Sequence, residues 1–344
     1  MYDFKILEPE YIPWGRIEAC EDHVVYKSQA WIEHLQRCYH VAPYVLEVYD
    51  ADDLIGYFVG ERFRKGVWII AAGFEGWSTA YQGLSMLRPV TVNKRVDIYG
   101  ELIEFLFRER QCTYFQAADW HLELPQVVLA DLRYEVVAGY VLDISRCEEA
   151  LLAGMRASTK SIIRKGKNSG VTNRIAGNVA DFVDAHYDHL LAVFARQHLK
   201  PTKRKEEVRE QICSMQKWHK SLLVEAVAHD GESLASGFFL HDNKIAFIVS
   251  GGNSTRALKM GVNEPLMFEA IRLLKQRGVT TLEFGGGRRF KEKYGPTPYV
   301  RPRIMACRFK VLFLIKRLAR EGYYLARAMV AAFRAKTSIG TEMH

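Results

Sequence analysis

Residues 281–295 read Thr-Leu-Glu-Phe-Gly-Gly-Gly-Arg-Arg-Phe-Lys-Glu-Lys-Tyr-Gly and gather the groups best able to do chemistry. A short strand runs out into Gly285, Gly286 and Gly287, then into cations and aromatics closed by Gly-Pro. Three glycines in a row remove every Cβ, so backbone amides can approach a ligand closely. The basic residues that follow suit an anionic substrate. A glycine-rich loop can also be a plain hairpin linker; its surroundings argue for a site.

A second basic element lies between the halves. In Gly154-Met-Arg-Ala-Ser-Thr-Lys-Ser-Ile-Ile-Arg-Lys-Gly, residues Arg156, Lys160 and Arg164 stand one helical turn apart on a single face. Like charges at that spacing cost a few tenths of a kcal/mol per pair. A bound phosphate would turn the repulsion into charge-assisted hydrogen bonds. Ser158, Thr159 and Ser161 add hydroxyl donors beside the cations. The plainer alternative is a solvated face.

The elements that must position these groups repeat. In the second half a strand candidate runs from Leu222 to His229, with a turn at Asp230-Gly231. Strands at Ser236–Leu240 and Ile245–Val249 flank a turn at Asp242-Asn243, and a helix over Glu264–Arg277 stops at Gly278. The strand before the triple glycine closes the unit. The first half follows the same order: strands at Tyr44–Tyr49, Leu54–Val59 and Val67–Ile70, a helix over Val96–Arg110, and a closing strand at Thr113–Ala117. Each unit is preceded by a helix, Gln29–Cys38 and Asp181–His198. Two β-β-β-α-β units predict two similar α+β domains packed together.

These motifs carry a resemblance. A helix with Met155-Arg156, Lys160 and Arg164-Lys165 ahead of Gly170-Val171, a three-stranded meander, a helix, and a strand ending in Phe284-Gly-Gly-Gly before Phe290-Lys291 and Tyr294-Gly295 resembles the FemA/FemB-type branch of the GNAT acyltransferase superfamily over about residues 28 to 310. The resemblance implies an α+β tandem of two GNAT-like domains with mixed central sheets, at 1–150 and 151–310, followed by a basic helical tail at 311–344. It implies transfer of an amino acid from aminoacyl-tRNA, or of an acyl group from a thioester, to an amine of a cell-envelope, polysaccharide or lipid precursor. It also makes Lys291 the lysine near the transfer centre and brings the basic helix near the cleft between the domains.

Two family features are missing. The loop that holds the pyrophosphate of coenzyme A has the form [Arg/Gln]-x-x-Gly-x-[Gly/Ala]; here the stretch is Arg256-Ala-Leu-Lys-Met-Gly261-Val-Asn, with one glycine at the wrong spacing. This leaves acyl-CoA or aminoacyl-tRNA as donor, leaning to the second, with no tightly bound cofactor and no metal expected. The long coiled-coil arm of some Fem-type proteins is reduced to a short charged helix candidate at Lys203–Trp218.

An amine attacking an ester or thioester must be neutral, close to the carbonyl, and supplied with an oxyanion stabiliser. Lys291 is the candidate for charge stabilisation. Glu283 and Asp119, each near the end of a closing strand, are the candidates for deprotonating the amine. Gly285, Gly286, Gly287, Arg288 and Tyr294 are candidates for substrate contact, Arg156, Lys160 and Arg164 for phosphate, and Tyr81 for the acceptor pocket. Trp77 beside it fits core packing better. No Ser-His-Asp arrangement is legible, and His186 and His189 read as helix-surface residues.

Composition bounds the rest. The 344 residues are 49% hydrophobic, enough for one large core or two moderate ones. Six cysteines without a C-x-x-C spacing fit buried free thiols in a reducing compartment. The N-terminal residues lack the apolar run of a signal peptide, and no stretch nears the ~20 apolar residues of a membrane span. The expectation is a cytoplasmic protein. The net charge of +8 is uneven: from Arg301 to Lys336 ten cations face Glu321 alone, so this segment carries +9 and the remainder −1. There Leu314, Leu318, Leu325, Met329 and Ala332 share one helical face, while Arg320, Arg327 and Arg334 repeat on another. Such a helix can dock on its own domain, lie on an acidic membrane surface, or bind RNA. The function expected is N-acyl or aminoacyl transfer to an anionic precursor. The alternative is a non-catalytic GNAT-fold protein that binds an anionic glycan precursor or RNA.

Overall fold

The computed structural model describes residues 1–66, 68–72, 79–109, 112–166, 170–286 and 289–309, with 311, 313–315, 318, 321–322 and 325 of the tail. The first half runs β1 (Tyr2–Ile6), α1 (Trp14–Glu18), α2 (Gln29–Tyr39), β2 (Ala42–Asp50), β3 (Asp53–Lys65), β4 (Trp68–Ala72), β5 (Gly83–Met86), α3 (Val92–Glu109), β6 (Tyr114–Ala117), α4 (Leu124–Leu129) and β7 (Tyr134–Asp143). The second runs α5 (Glu148–Gly154), α6 (Ala157–Gly166), β8 (Val171–Ile175), α7 (Val179–Ala195), α8 (Lys205–Lys217), β9 (Ser221–Ala228), β10 (Ser233–Asp242), β11 (Ile245–Asn253), α9 (Thr255–Met260), α10 (Asn263–Gln276), β12 (Thr281–Glu283) and β13 (Thr297–Cys307).

Local chemistry accounts for the boundaries. Ser28 caps α2 by accepting from the Trp31 amide, and the Asn178 side chain accepts from Ala180 and Asp181 at the start of α7. The chain leaves α10 through Gly278, whose φ of 82° is the left-handed stop expected there. Asn243 and Gly231, at φ 48° and 85°, turn the two hairpins of the second half.

Among the described residues thirteen strands join one sheet, in the order β1-β2-β3-β4-β6-β13-β7-β12-β11-β10-β9-β8, with β5 beside β3. It is mixed: β4 pairs parallel with β6, and β11 with β12, each over three residues, and the other pairs are antiparallel. The closing strands are exchanged between the halves. β7 pairs with β13 over Tyr134–Val141 and then with β12 over Val141–Asp143. In the same way β13 pairs with β7 over Thr297–Ile304 and then with β6 over Ile304–Cys307. Each half lends its last strand to the other.

Three apolar clusters follow this plan. One fills the first half around Leu46, Phe58, Leu102 and Phe115, and a second fills the later half around Leu222, Phe239, Ile271 and Leu282. The third spans both, with Trp31, Tyr81 and Trp120 against Phe182, Phe238 and Phe247. All six cysteines are free, but only Cys20 and Cys112 are buried; Cys147 and Cys213 are exposed, which corrects the expectation of buried thiols. Phe313 packs on Tyr114 and under the Arg133 guanidinium, while Leu314, Leu318 and Leu325 are exposed. Lys310, Lys316, Arg317, Arg320, Arg327, Met329, Ala332, Arg334 and Lys336 lie outside the described residues.

Because both sheet partners of β7 come from beyond residue 280, a fragment of residues 1–150 keeps β7 without a neighbour. We expect the full chain to unfold in one cooperative transition followed by circular dichroism, and the fragment to give poorly dispersed amide resonances. A fragment that melts cooperatively by itself would contradict this.

Candidate functional site

The parallel pairing of β11 and β12 ends at Phe247 and Glu283. Beyond it β11 runs on to Asn253, while the other chain turns away at Phe284 and Gly285. The gap between them is a cavity of about 400 Å³. Its walls are largely apolar, with Val224, Phe239, Ile248, Leu266 and Phe284 among them, and Lys291, Lys293 and Tyr294 at one side.

Glu283 stands at the apex. It is 3% exposed, and burial pushes its pKa above the usual carboxylate value, against the lowering effect of the Tyr299 hydroxyl and the Gly285 amide. The Tyr299 hydroxyl donates to Glu283 Oε1. With the Tyr299 proton committed, Tyr81, whose oxygen lies 2.6 Å from that of Tyr299, is the donor in the next link. Gly139 lies opposite Tyr299 on β7, and a Cβ there would come within 2.4 Å of the Tyr299 oxygen. This close approach lets the ring lie flat across the sheet.

Lys291 closes the site from a short 3-10 turn, Arg289–Tyr294, and its Nζ donates to the Gly286 carbonyl at 2.6 Å. A Cβ on Gly285 would sit 3.8 Å from Lys291 Nζ and 4.0 Å from Glu283 Oε2. The absence of a side chain at Gly285, together with its φ of +69°, keeps open the space between an ammonium and a carboxylate. An amine entering this space meets a proton acceptor on one side and a cation on the other.

The turn is anchored from behind. Arg156 pairs with Glu292 at 3.0 Å, the Arg156 amide donates to the Lys293 carbonyl, and Lys293 pairs with Glu264 at 2.5 Å. Tyr294 is buried, stacks on Phe284, and lines the cavity. Arg156 is therefore charge-matched by Glu292. Lys160 and Arg164 continue along α6, and none of the three lines the cavity.

Other expectations are corrected. Asp119 is fully enclosed: Arg95 donates to it at 2.7 Å, Tyr99 at 2.9 Å, and the His121 amide at 2.9 Å. Burial alone would raise its pKa, but Arg95, Lys27 and His121 outweigh burial and hold it near 2. It is a structural ion-pair partner and is unsuited to accepting a proton. Tyr81 is 2% exposed in the aromatic cluster between the halves, 5.0 Å edge-on to Trp120, so it reaches the site through Tyr299 and does not line an open pocket. His186 and His189 are buried, not on the helix surface: His186 bonds Ser236 and Ser250, and His189 bonds Ser236 and the Ser233 carbonyl. Gly287, Arg288 and Trp77 lie outside the described residues.

Tyr299, Ser236 and Ser250 do not stand out in the sequence. Tyr299 sits between Pro298 and the Arg301-Pro302 pair, a composition that argues against a strand, although Tyr299, Arg301 and Arg303 alternate as strand residues do. Ser250-Gly-Gly-Asn after a strand, with His186 and His189 a helical turn apart, is the available signal for the serines.

A wider cleft of about 960 Å³ lies between the halves, with Arg16, Arg88, Lys244 and Arg301 among its cations and Glu21 and Glu123 among its anions. Arg301 lies over the Trp120 ring at 4.1 Å and beside Tyr299 at 5.4 Å, so one wall of the cleft touches the chain that ends at Glu283. Elsewhere, Glu18, His23 and Asp242 cluster as metal ligands do, but the Lys220 ammonium bonds both carboxylates, at 2.9 and 2.6 Å.

Residues 153–297 match the family model described as an acetyltransferase (GNAT) domain. No curated protein matches the chain in sequence. Among solved structures, FemX superposes with a TM-score of 0.72 at 8% identity, over 91% of this chain and 99% of that one. L-PGS from Bacillus licheniformis gives 0.52 at 14% identity, over 90% and 96%. A tandem GNAT protein from the clavulanic acid biosynthesis pathway gives 0.50 at 13% identity, over 89% and 98%.

Asp119 and Glu283 should respond oppositely to neutralisation. Asp119→Asn removes a carboxylate whose depressed pKa stabilises the fold above about pH 4 and ceases to do so as pH falls toward 2; we expect a loss of about 3 kcal/mol at pH 7. Glu283 has a raised pKa, so its ionisation as pH rises destabilises the fold, and Glu283→Gln should increase the melting temperature at pH 7. Thermal melts of both variants between pH 5 and pH 8, roughly the range of neutral stability, decide it; a drop for Glu283→Gln would be the wrong sign.

Proposed function

From a chain that has the GNAT fold in the tandem arrangement of the FemAB-like branch, we propose an acyltransferase that moves an aminoacyl or acyl group onto an amine. The observation that carries this is the space above Gly285, bounded by Glu283 and Lys291 and opening beside an apolar cavity. The donor's carbonyl lies in that space. The amine attacks its carbon, a C–N bond forms, and the C–O bond of an ester or C–S bond of a thioester breaks. Glu283 takes the proton the amine loses and returns it to the leaving oxygen or sulfur. Lys291 stabilises the oxyanion between the two steps.

An aminoacyl ester is the favoured donor. Where coenzyme A would need free amides at the start of α10, the first turn carries the Glu264 carboxylate, which pairs with Lys293. Arg256, in the stretch ahead of that helix, is engaged by Asp230 and Glu232. Lys160 and Arg164 then serve the polyanionic body of a charged tRNA, outside the cavity. The acceptor is an amine on an anionic precursor, taken through the cleft lined by Arg16, Arg88, Lys244 and Arg301. Cell-envelope precursors fit that description. The two domains correspond to residues 1–150 and 151–310, joined by their exchanged strands. No helix among the described residues is long and apolar enough to cross a membrane, and contact of the tail with an acidic membrane surface is a separate proposal.

The test is transfer from charged tRNA or acyl-CoA to amine acceptors, read by mass spectrometry. With the productive pair, Glu283→Gln should lower kcat about 100-fold or more and Lys291→Ala about 10- to 100-fold. Arg164→Ala should raise KM for the donor with kcat retained, and the effect should shrink as salt rises. Full activity of Lys291→Ala would remove it from the centre.

A further inference from the structure

On the α7 side of the same cavity, five polar groups form a chain whose direction follows from one carbonyl. His189 Nε2 lies 2.9 Å from the Ser233 carbonyl oxygen, which can only accept, so that nitrogen carries the hydrogen. Burial lowers the pKa of His189 and leaves a neutral ring, so its Nδ1 accepts. The Ser236 hydroxyl, 2.9 Å away, must donate to it. With its one proton committed, Ser236 Oγ accepts from His186 Nδ1 at 2.8 Å. His186 is fully buried, its pKa is driven down to about 3 by that burial, and its Nε2 therefore accepts as well. The Ser250 hydroxyl donates to it at 2.8 Å.

The consequence falls on the cavity. Ser250 lines it, and its proton is held by His186, so only oxygen lone pairs are left for a ligand. Three features hold Ser250 there. The register of β10 against β11 shifts between Phe238 and Phe239, with Ile248 opposite Phe239 and Ser250 opposite Phe238, so Val249 is an extra residue. This bulge brings Ser250 to the α7 side. The Phe182 ring stacks on His186 at 5.2 Å and 12°, fixing the imidazole plane. A Cβ at Gly252 would come within 2.7 Å of His189, so the bare glycine lets α7 sit against β11.

The cations nearby are engaged differently. Arg196 bonds the Asn253 carbonyl and side chain, Lys291 bonds the Gly286 carbonyl, and Lys293 pairs with Glu264. Ser250 thus presents a fixed acceptor in a largely apolar enclosure. A ligand offering carbon or carbonyl oxygen at that point leaves the lone pairs unpaired or repelled, whereas an N–H satisfies them.

We propose that Ser250 is a specificity-determining residue of the donor site, selecting a donor that carries an N–H group beside the cavity wall. The α-ammonium of an aminoacyl ester and the amide of a thioester arm are the two chemical sources of such a group. The inference rests on the reading that this cavity holds the donor.

The test is calorimetric binding of three probes to the full chain: a 3′-amide analogue of an aminoacyl-adenosine, its counterpart lacking the α-amino group, and coenzyme A. Binding of the amino analogue about ten-fold tighter than its des-amino counterpart, with the difference lost in Ser250→Ala, assigns the α-ammonium. A comparable Ser250-dependent gain for coenzyme A alone assigns the amide arm. Nitrogen-15 NMR of the imidazoles supplies a readout that needs no ligand. His186 should be the Nδ1–H tautomer in the wild type and shift to Nε2–H in Ser236→Ala, where Ser250 would become a donor and the preference for N–H probes would vanish. An Nε2–H tautomer in the wild type, or probe affinities that Ser250→Ala leaves unchanged, overturns the inference with the donor site intact. If neither class of probe binds while His186 is Nδ1–H, it is the donor-site reading that fails, and this inference falls with it.

Discussion

Three residues of parallel pairing between β11 and β12 decide where everything else in the site can be. Had the pairing continued, ladder hydrogen bonds would have closed the gap that is now the cavity. Two local features stop it. Gly285 takes a left-handed backbone and carries one chain away, and the bulge at Val249 turns the other. Glu283, the last paired residue, has its backbone fixed by the sheet on both sides, while its buried carboxylate accepts from Tyr299 and lies next to Gly285. A carboxylate in a loop would lack that restraint, and its burial would be easier to escape.

A three-residue strand is a weak platform by itself. The exchange of closing strands supplies what β12 lacks: β7, from the first half, pairs with it along its whole length, and β13 lies on the far side of β7. Because Val141 faces both Glu283 and Thr297, the start of β13 is held in register with the apex, and Tyr299 reaches the carboxylate from there. Exchange also relates the halves by an approximate two-fold arrangement, under which Gln116 holds the place of Glu283, each the last residue of a three-residue parallel pairing. Gln116 accepts from the Tyr114 hydroxyl and carries no charge. The nearby carboxylate, Asp119, is neutralised by Arg95. The architecture is doubled, but only one of the two equivalent positions carries a carboxylate.

The fold was largely legible because its signals are local. The turn residues Asp230-Gly231 and Asp242-Asn243, the Gly278 stop and the repeated apolar spacing each report on a few neighbouring residues, and the strands and helices they bound lie where expected within a few residues. Strand exchange was not legible, since pairing partners more than a hundred residues apart leave no mark on spacing. β13 was hidden for a further reason: Pro298 and Pro302 each remove a ladder donor, and Arg301 and Arg303 look solvated until Trp120 is placed beneath Arg301. At the proposed site, Lys291 is marked by its place in the motif and Glu283 by its place near the end of a closing strand. Asp119 could not be told apart from Glu283 in the same way. Both are acids near strand ends, and only the positions of Arg95 and Lys27, distant in sequence, hold one as an anion, whereas burial raises the pKa of the other.

Burial acts in two ways around this cavity. For Glu283 it is incompletely compensated, which raises the pKa and leaves a group ready to take a proton. For His186 and His189 it disfavours the charged form, and then what matters is which nitrogen of the neutral ring holds its hydrogen. A single backbone carbonyl settles that question for four side chains, because each has one proton to give and one neighbour to receive it. The raised pKa of the carboxylate and the neutral state of the two imidazoles are thus set by the same physical term, the cost of charge away from water.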